Sequence, residues 1–353
     1  MPRTHSEEPV TRSEEPLVVE FPFSELSATT PNSQFFVRNH FPVPDIDSAT
    51  WTLGVEGEVR EPLTITLEEL RSLPAVTVSA VIECAGNGRT FIQGNPRSVQ
   101  WELGGVGSAS WTGVPLSVVL ARAGLNANAV DIVFEGADHG PEDALPGRAD
   151  IHFARSVPIA TAMRPDVLLA YEMNGEPLEP VHGAPIRVIV PGWYGVTSVK
   201  WLSRILVTPR AFTGFFQSAE YTYWTTVHGS LERVPISTLK VKSEIARPTS
   251  GEELQVGAEY RVFGAAWTSD AAITAVDVST DGGITWTPAT LRDAEEGHAW
   301  RLWELWWTPV ETGTPVIMAR ATDSGGRTQP RAHDPNHENY MVHHALPIHV
   351  IIA

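Results

Sequence analysis

Cysteine is almost absent from this chain of 353 residues, in which Cys84 is the only one. A lone thiol cannot form an intrachain disulfide, which leaves packing, metal ligation or nucleophilic chemistry as its role. Packing is the commonest of the three, because free cysteine usually behaves as a small buried hydrophobe. Yet Cys84 follows a strand-like run over residues 76–83. Gly86 and Gly88 come next and would let backbone amides approach a ligand, while Arg89 adds positive charge that favours a thiolate.

Basic residues are also scarce, with 25 lysines and arginines against 42 acidic residues and a formal net charge of −17. This balance argues against a nucleic-acid partner, and it means that an anionic substrate needs a local basic pocket. No apolar run reaches the length of a membrane-spanning helix, and no apolar signal segment follows Met1. We therefore expect no membrane partner and a cytoplasmic location, or a periplasmic one if a leader has been removed.

Motifs for several kinds of site are missing. A single cysteine and the lack of a His-Glu-x-x-His run disfavour zinc, and the segment around Cys84 matches no cysteine-protease signature. Histidines crowd the last segment: His333, His337, His343, His344 and His349. Pro335 disfavours a helix that would bring the first two together. We predict surface, tail or interface positions for these histidines, with metal binding as the minor alternative.

The length suggests two domains. Residues 1–20 carry several glutamates and read as a flexible acidic lead. Short strands alternate with short helices from 21 to 233, which predicts an α+β domain. From 234 to 353 the helical periodicity disappears, and strand-like runs separated by turns predict an immunoglobulin-like β-sandwich without its disulfide.

Four segments of the first domain combine polar or basic residues with turn chemistry, at 35–42, 80–89, 182–201 and 220–224. Each has an ordinary structural explanation when taken alone. An Arg-Asn-His run beside prolines is usually a hydrogen-bonded loop, His182 before glycine fits a turn, and Tyr221 among aromatic residues fits packing.

Taken together, these segments resemble the sulfite oxidase family of molybdenum enzymes, from about residue 35 to the C-terminus. The first-domain matches are 37–40 (Val-Arg-Asn-His), 83–87 (Glu-Cys-Ala-Gly-Asn), 134–138 (Phe-Glu-Gly-Ala-Asp), 168–175 (Leu-Leu-Ala-Tyr-Glu-Met-Asn-Gly), 182–192 and 199–201. Residues 279–286 and 299–303 are similar to the family's dimerisation domain. The order and number of these blocks make the resemblance specific.

The resemblance implies a molybdenum–molybdopterin cofactor in which the Cys84 thiolate completes the sulfur ligation, as suits a soft metal site. Neither haem nor flavin is expected. The residues implied to hold the cofactor are Phe36, Val37, Arg38, Asn39, His40, Asp138, His182, Arg187, Ser198, Val199 and Lys200. Arg38, Arg187 and Lys200 can meet anionic oxygens such as those of the pterin phosphate.

The implied reaction is oxidation of sulfite to sulfate, with Arg38, Cys84 and Tyr221 as catalytic residues. Arg38, Arg89, Trp101 and Tyr221 would bind the small anionic substrate. Electrons would pass to a separate acceptor such as a cytochrome c, and the second domain would form a homodimer.

Two departures from the family pattern limit the substrate prediction. Gly88 replaces the first of two arginines, and the end of the second domain has no arginine, although His343 or His344 could replace it. The alternatives are a dehydrogenase of another sulfur compound on the same fold, or a non-catalytic anion-binding module in which Cys84 is merely buried.

Overall fold

The protein is described from a computed structural model that covers residues 8–94, 98–292 and 297–353. The strands of the first domain are β1 (Val10–Ser13), β2 (Val18–Glu20), β3 (Val37–Arg38), β4 (Thr52–Gly57), β5 (Leu63–Thr66), β6 (Val76–Glu83), β7 (Val106–Pro115), β8 (Asp131–Pro141), β9 (Asp150–Pro158), β10 (Leu168–Met173), β11 (Glu176–Pro177), β12 (Arg187–Ile189), β13 (Leu202–Thr208), β14 (Thr222–Val227) and β15 (Ser230–Pro235). Its helices are α1 (Leu67–Arg71), α2 (Leu116–Ala123) and α3 (Ile159–Ala162). None of the helices in the described ranges has the length and apolarity that a membrane crossing requires.

Two five-stranded sheets organise this domain. One has the order β11-β10-β7-β6, with β12 also paired to β10, and the other has the order β5-β4-β13-β8-β9. Strand β6 coincides with the predicted run and pairs with β7 along its whole length, from Val76 opposite Gly113 to Glu83 opposite Val106. Its residues are exposed at the start and buried at the end. Cys84 therefore follows the buried end of β6 and lies inside the protein.

Local signals explain the short helices. Thr66 caps α1, since its side chain accepts from the Glu69 backbone while the Glu69 carboxylate accepts from the Thr66 backbone. Gly124 ends α2 with a φ of 67°, a conformation that favours glycine. The helix begins at Leu116, because Val114 and Pro115 still belong to β7.

The predicted flexible lead is wrong for the residues that the structure describes. Residues 1–7 lie outside them, but β1 pairs with β2, and β2 pairs with β3. Glu20 is buried, and its carboxylate accepts from the Glu102 and Gly104 backbones at 2.8 and 2.9 Å. The acidic composition suggested a solvated segment. The prediction failed because the carboxylate of this glutamate accepts hydrogen bonds from backbone amides inside the protein.

The second domain is built mainly of strands, with one short 3-10 helix at Pro335–His337 among its described residues. Its strands are β16 (Lys242–Arg247), β17 (Glu253–Leu254), β18 (Tyr260–Trp267), β19 (Ile273–Ser279), β20 (Thr287–Pro288), β21 (Thr290–Leu291), β22 (Arg301–Trp307), β23 (Val316–Asp323), β24 (Ile348–His349) and β25 (Ile351–Ile352). Two four-stranded sheets, β16-β18-β22-β21 and β20-β19-β23-β24, enclose a core that includes Val262, Val276 and Trp303. This is the predicted sandwich.

The two domains share buried surface. The predicted boundary at 233/234 falls inside β15, which pairs with β14 of the first domain. Trp267, Trp300, Tyr340 and Met341 of the second domain join the core of the first. The second domain therefore contributes directly to the surroundings of the first-domain loops.

Candidate active site

Cys84 lies on the loop that follows β6, at the wall of a pocket. Its backbone N–H donates to the Gly105 carbonyl at 2.8 Å, and its carbonyl accepts from the Asn87 N–H at 2.9 Å. The side chain is 8% exposed. Burial raises the pKa of this thiol, although the charges of Arg89 and Arg38 act in the opposite direction. A bound cation would favour the thiolate further.

The pocket is a concave site that is partly open to solvent at its mouth. It brings together most of the residues that the sequence predicted for the site: Phe36, Arg38, Asn39, His40, Cys84, Asp138, His182, Arg187, Ser198, Val199, Lys200 and Tyr221. They come from both five-stranded sheets, from β3 and from the loops between these elements. The structure thus brings these residues together in one pocket, whereas the role of each of them stays a prediction.

Three lysine or arginine side chains, Arg38, Arg187 and Lys200, line the pocket. Within the described part of the chain, no carboxylate oxygen comes within 4.0 Å of Arg38, Arg187 or Lys200. Burial lowers the pKa of Arg187 to about 9 and that of Lys200 well below its ordinary value. The Arg187 charge acts in the same direction on Lys200, whereas the Asp138 carboxyl acts against it. In a protein of net charge −17, a pocket lined by three basic side chains fits an anionic ligand.

The polar atoms of the pocket walls find only some of their hydrogen-bond partners within the protein. Arg187 donates to the carbonyls of His182 and Ser198 at 2.9 and 3.2 Å, and Lys200 donates to the Val181 carbonyl at 3.0 Å and to the Asn39 side chain. Among the described residues, three buried atoms in the pocket walls lack a partner: Asn39 Nδ2, Asp138 Oδ1 and Arg187 Nε. Buried polar atoms are rarely left unpaired, so these atoms fit a polar ligand.

Tyr221 and His40 form a hydrogen-bonded pair at the pocket, with 2.6 Å between the phenol oxygen and Nε2. Burial and the charges of Arg38, Lys200 and Arg155 lower the pKa of His40 well below its ordinary value, so the ring is neutral near pH 7. Burial raises the pKa of Tyr221 to about 12, so the phenol keeps its proton. The pair therefore offers hydrogen bonds without a charge of its own.

Three predicted residues do not line the pocket. Val37 points into the core from β3, and Trp101 is fully buried behind Phe36, with 5.9 Å between the ring centroids. Arg89 is 2% exposed and donates to the carbonyls of Asn339 and Val99 at 3.0 and 2.6 Å. Of the three, Trp101 packs directly against a residue of the pocket wall.

Sequence reasoning missed several residues around the pocket: Phe35, Phe153, Arg155, Trp201 and Tyr340. Phe35, Phe153 and Trp201 line it. Arg155 is fully buried and donates to the carbonyls of Phe216 and Ile236, with its guanidinium 6.0 Å from the Tyr221 ring. Residues 153–157 of β9 are all buried, so the strand is covered on both faces there and no alternation of buried and exposed residues marks this arginine.

Tyr340 reaches this region from the second domain. Its ring lies 5.2 Å from that of Tyr221 and 5.3 Å from the Arg89 guanidinium, and its hydroxyl donates to Glu220 at 2.8 Å. Neither His343 nor His344 lines the pocket, so neither takes the place of the missing arginine there.

The C-terminal histidines are only partly the surface residues that we predicted. His337 and His344 are buried because they pack with His333 and His343 in one cluster. Across the described ranges, no three His, Cys, Asp or Glu side chains are placed to hold one metal ion.

The buried thiol, the basic side chains beside it and the unsatisfied polar atoms fit a sulfur-ligated metal cofactor that carries an anionic group. The comparisons with known proteins agree with this class. Residues 40–216 match the oxidoreductase molybdopterin binding domain, and residues 233–350 match the Mo-co oxidoreductase dimerisation domain.

Relatives of known function align over most of the chain. Human mitochondrial sulfite oxidase is 38% identical over 323 residues, which cover 85% of this chain and 57% of that protein. Sulfite oxidase of Arabidopsis thaliana is 33% identical over 370 residues, covering 93% and 91%. The sulfane dehydrogenase SoxCD of Paracoccus pantotrophus superposes with a TM-score of 0.81 at 28% identity, covering 98% and 87%.

The chain belongs to the sulfite oxidase family of molybdopterin-dependent oxidoreductases. The predicted family and the predicted pair of folds are therefore confirmed. The chain spans 57% of the length of the human relative.

Proposed function

We propose that this protein oxidises sulfite to sulfate by oxygen-atom transfer and passes two electrons to a separate acceptor such as a cytochrome c. The observation that carries the proposal is the meeting of Cys84 with Arg38, Arg187 and Lys200 in one pocket. The human and Arabidopsis relatives are sulfite oxidases, which supports sulfite as the substrate.

The pocket residues fit a molybdenum pterin in three respects. Cys84 offers the soft sulfur donor, Arg187 and Lys200 offer positive charge for the pterin phosphate, and Asn39 and Asp138 offer unpaired polar atoms. When bound, this cofactor supplies the oxygen-atom transfer and accepts the two electrons of the oxidation.

Arg38 and the Tyr221–His40 pair would handle the substrate. The Arg38 guanidinium has no carboxylate partner within the described residues, so it is available to bind a dianion and to stabilise charge as it shifts. If His40 donates Nε2–H to the phenol oxygen, the Tyr221 O–H is free to donate to an oxyanion. The aromatic walls, among them Phe36 and Phe153, limit the water that competes for these groups.

Turnover of defined sulfur compounds tests the substrate. We expect molybdenum-loaded protein to reduce ferricyanide with sulfite, and to do so at least about tenfold more efficiently than with thiosulfate or a persulfide. The kcat/KM values of the three compounds are the measurement, and protein without cofactor is the control. A persulfide preferred over sulfite would assign the chain to the sulfur-compound dehydrogenases, of which the SoxCD neighbour is an example. No turnover with any of them would contradict the enzymatic proposal.

We also propose that the second domain forms a homodimer, as its family match suggests. Val256, Val310 and Ile351 are exposed apolar residues on neighbouring segments of this domain. The segments are joined by hydrogen bonds, from the Val256 N–H to the Ala353 carbonyl and from the Gly257 N–H to the Pro309 carbonyl. Apolar side chains grouped in this way are typical of an interface.

The double variant Val310→Asp/Ile351→Asp should weaken the dimer by at least about tenfold in dissociation constant, because it places two charges in the apolar contact. Light scattering across a dilution series measures this. Leu231→Asp is the control, since Leu231 is 61% exposed on β15 of the first domain. An unchanged dimer in the double variant would move the interface elsewhere.

A further inference from the structure

We propose that the second domain positions the loop that carries Cys84, through a buried set of side chains shared by the two domains. This set, called the interdomain cluster, consists of Glu83, Asn87, Lys242, Glu244 and Trp267. None of the five lines the pocket. They are therefore positioning residues, and the inference rests on the proposed function in one respect, the role of Cys84 as a metal ligand.

Lys242 is the centre of the cluster. Its Nζ lies 2.8 Å from Oε1 of both Glu83 and Glu244, and the three side chains are between 0 and 2% exposed. Burial alone would lower the pKa of this lysine, but the two carboxylates outweigh that effect and raise it. Glu83 ends β6 in the first domain, whereas Lys242 and Glu244 belong to β16 in the second. A charged contact thus crosses the domain boundary directly beside Cys84.

The remaining oxygen of Glu83 is also held by the second domain. The Trp267 indole N–H donates to Oε2 at 2.9 Å, and Lys242 Nζ lies 5.7 Å from the centre of the Trp267 ring. Both carboxylate oxygens of Glu83 therefore have partners from the second domain. This fixes the side chain of the residue that precedes the thiol.

Asn87 connects the cluster to the other side of the loop. Its Nδ2 donates to Glu83 at 3.2 Å and to Glu244 at 3.1 Å, while its Oδ1 accepts from the Gly105 N–H at 3.0 Å. The Asn87 N–H donates to the Cys84 carbonyl, and the Cys84 N–H donates to the Gly105 carbonyl. The backbone of Cys84 is thus bonded on both sides to groups that are themselves held by the cluster.

Two backbone contacts extend this support along the chain. The edge of β6 is paired by a second-domain residue, since the Val81 N–H donates to the His298 carbonyl and the His298 N–H donates to the Ser79 carbonyl, both at 2.9 Å. After the thiol, the Ala85 carbonyl accepts from the Met341 N–H at 2.7 Å. The strand before Cys84 and the residue after it are both anchored on the second domain.

The accessibility of Cys84 tests the proposal. Because the chain has one cysteine, alkylation of the full chain prepared without cofactor reports on this loop alone. We expect Lys242→Met to raise the iodoacetamide labelling rate by about tenfold, and Trp267→Phe and Glu244→Gln to raise it by about threefold, because the loop opens more often. The rate is recorded as a pH profile, which separates a change of access from a change of thiol pKa.

The loaded protein gives a second readout. The Mo(V) electron paramagnetic resonance signal should broaden or shift in the same variants, since the orientation of the thiolate affects it. Glu304→Gln is the matched control. It removes a carboxylate that pairs with Arg261 and Arg292 at 2.6 and 2.9 Å within the second domain, away from the loop. We expect its labelling rate and spectrum to equal those of the unaltered protein.

Labelling rates and spectra that match this control in all folded variants would overturn the proposal. If Lys242→Met does not fold, Trp267→Phe and Glu244→Gln decide the question by the same criterion. The labelling rate involves neither molybdenum nor sulfite. A failure of the proposed reaction would therefore leave this measurement valid, and a failure of the positioning role would leave the turnover assay valid.

Discussion

Replacing Cys84 with serine should lower turnover by more than about a hundredfold and reduce the molybdenum bound per chain. Loss of a residue that only orients a metal ligand costs roughly ten- to a hundredfold, and loss of the ligand itself should cost more. A serine hydroxyl is a hard donor that stays protonated near pH 7, so it does not replace a thiolate on a soft metal site. Turnover, molybdenum content and the sulfur-to-metal absorption bands measure the effect.

The variant should still fold. The side chain of Cys84 is 8% exposed, and serine has nearly the same volume, so the thermal unfolding of the cofactor-free chain should be close to that of the unaltered protein. Cys84→Ala is the companion variant, because it removes the sulfur without adding a hydroxyl. Activity within threefold of the original in either variant would show that the thiol is merely buried.

Arg38→Gln should lower kcat/KM for sulfite by about a hundred- to a thousandfold while the molybdenum content stays near normal. Removing one preorganised donor to a developing anion typically has an effect of this size. Arg38 is the pocket cation best suited to the substrate, since Arg187 and Lys200 are more deeply enclosed by the carbonyls of His182, Ser198 and Val181. Steady-state kinetics with an artificial acceptor measure this change.

Arg204→Gln provides the matched control for Arg38. Arg204 pairs with Glu56 and Glu135 at the surface, both at 2.8 Å, and exposed pairs of this kind contribute little. Its kcat/KM should stay within about twofold of the unaltered value. If Arg38→Gln behaved in the same way at full molybdenum content, Arg38 would have no part in substrate binding.

Local sequence patterns were sufficient for many elements near the site. The alternation over Val76–Glu83 predicted β6 with its observed bounds. This prediction succeeds because the period of a strand depends on neighbouring residues. The acidic lead failed because the burial of Glu20 depends on two amides that lie more than eighty residues further along the chain.

The sequence alone shows the single cysteine and the family blocks that surround it. Those blocks determined the family, and they named most of the residues that the pocket brings together. The sequence could not show that Arg38, Arg187 and Lys200 would meet in one pocket, with no carboxylate oxygen within 4.0 Å among the residues that the structure describes. These three residues are far apart along the chain, so they come together only when the sheets of the first domain pack against each other.

The support of the Cys84 loop was likewise decided by the tertiary structure. Glu83 is separated from Lys242 by 159 positions, and no local pattern announces a buried ion pair between domains. The sequence by itself therefore identified the one thiol that can serve as a soft donor. Only the packing of the second domain against β6 decided how that atom is held, because such a pair forms where distant strands exclude water from both partners.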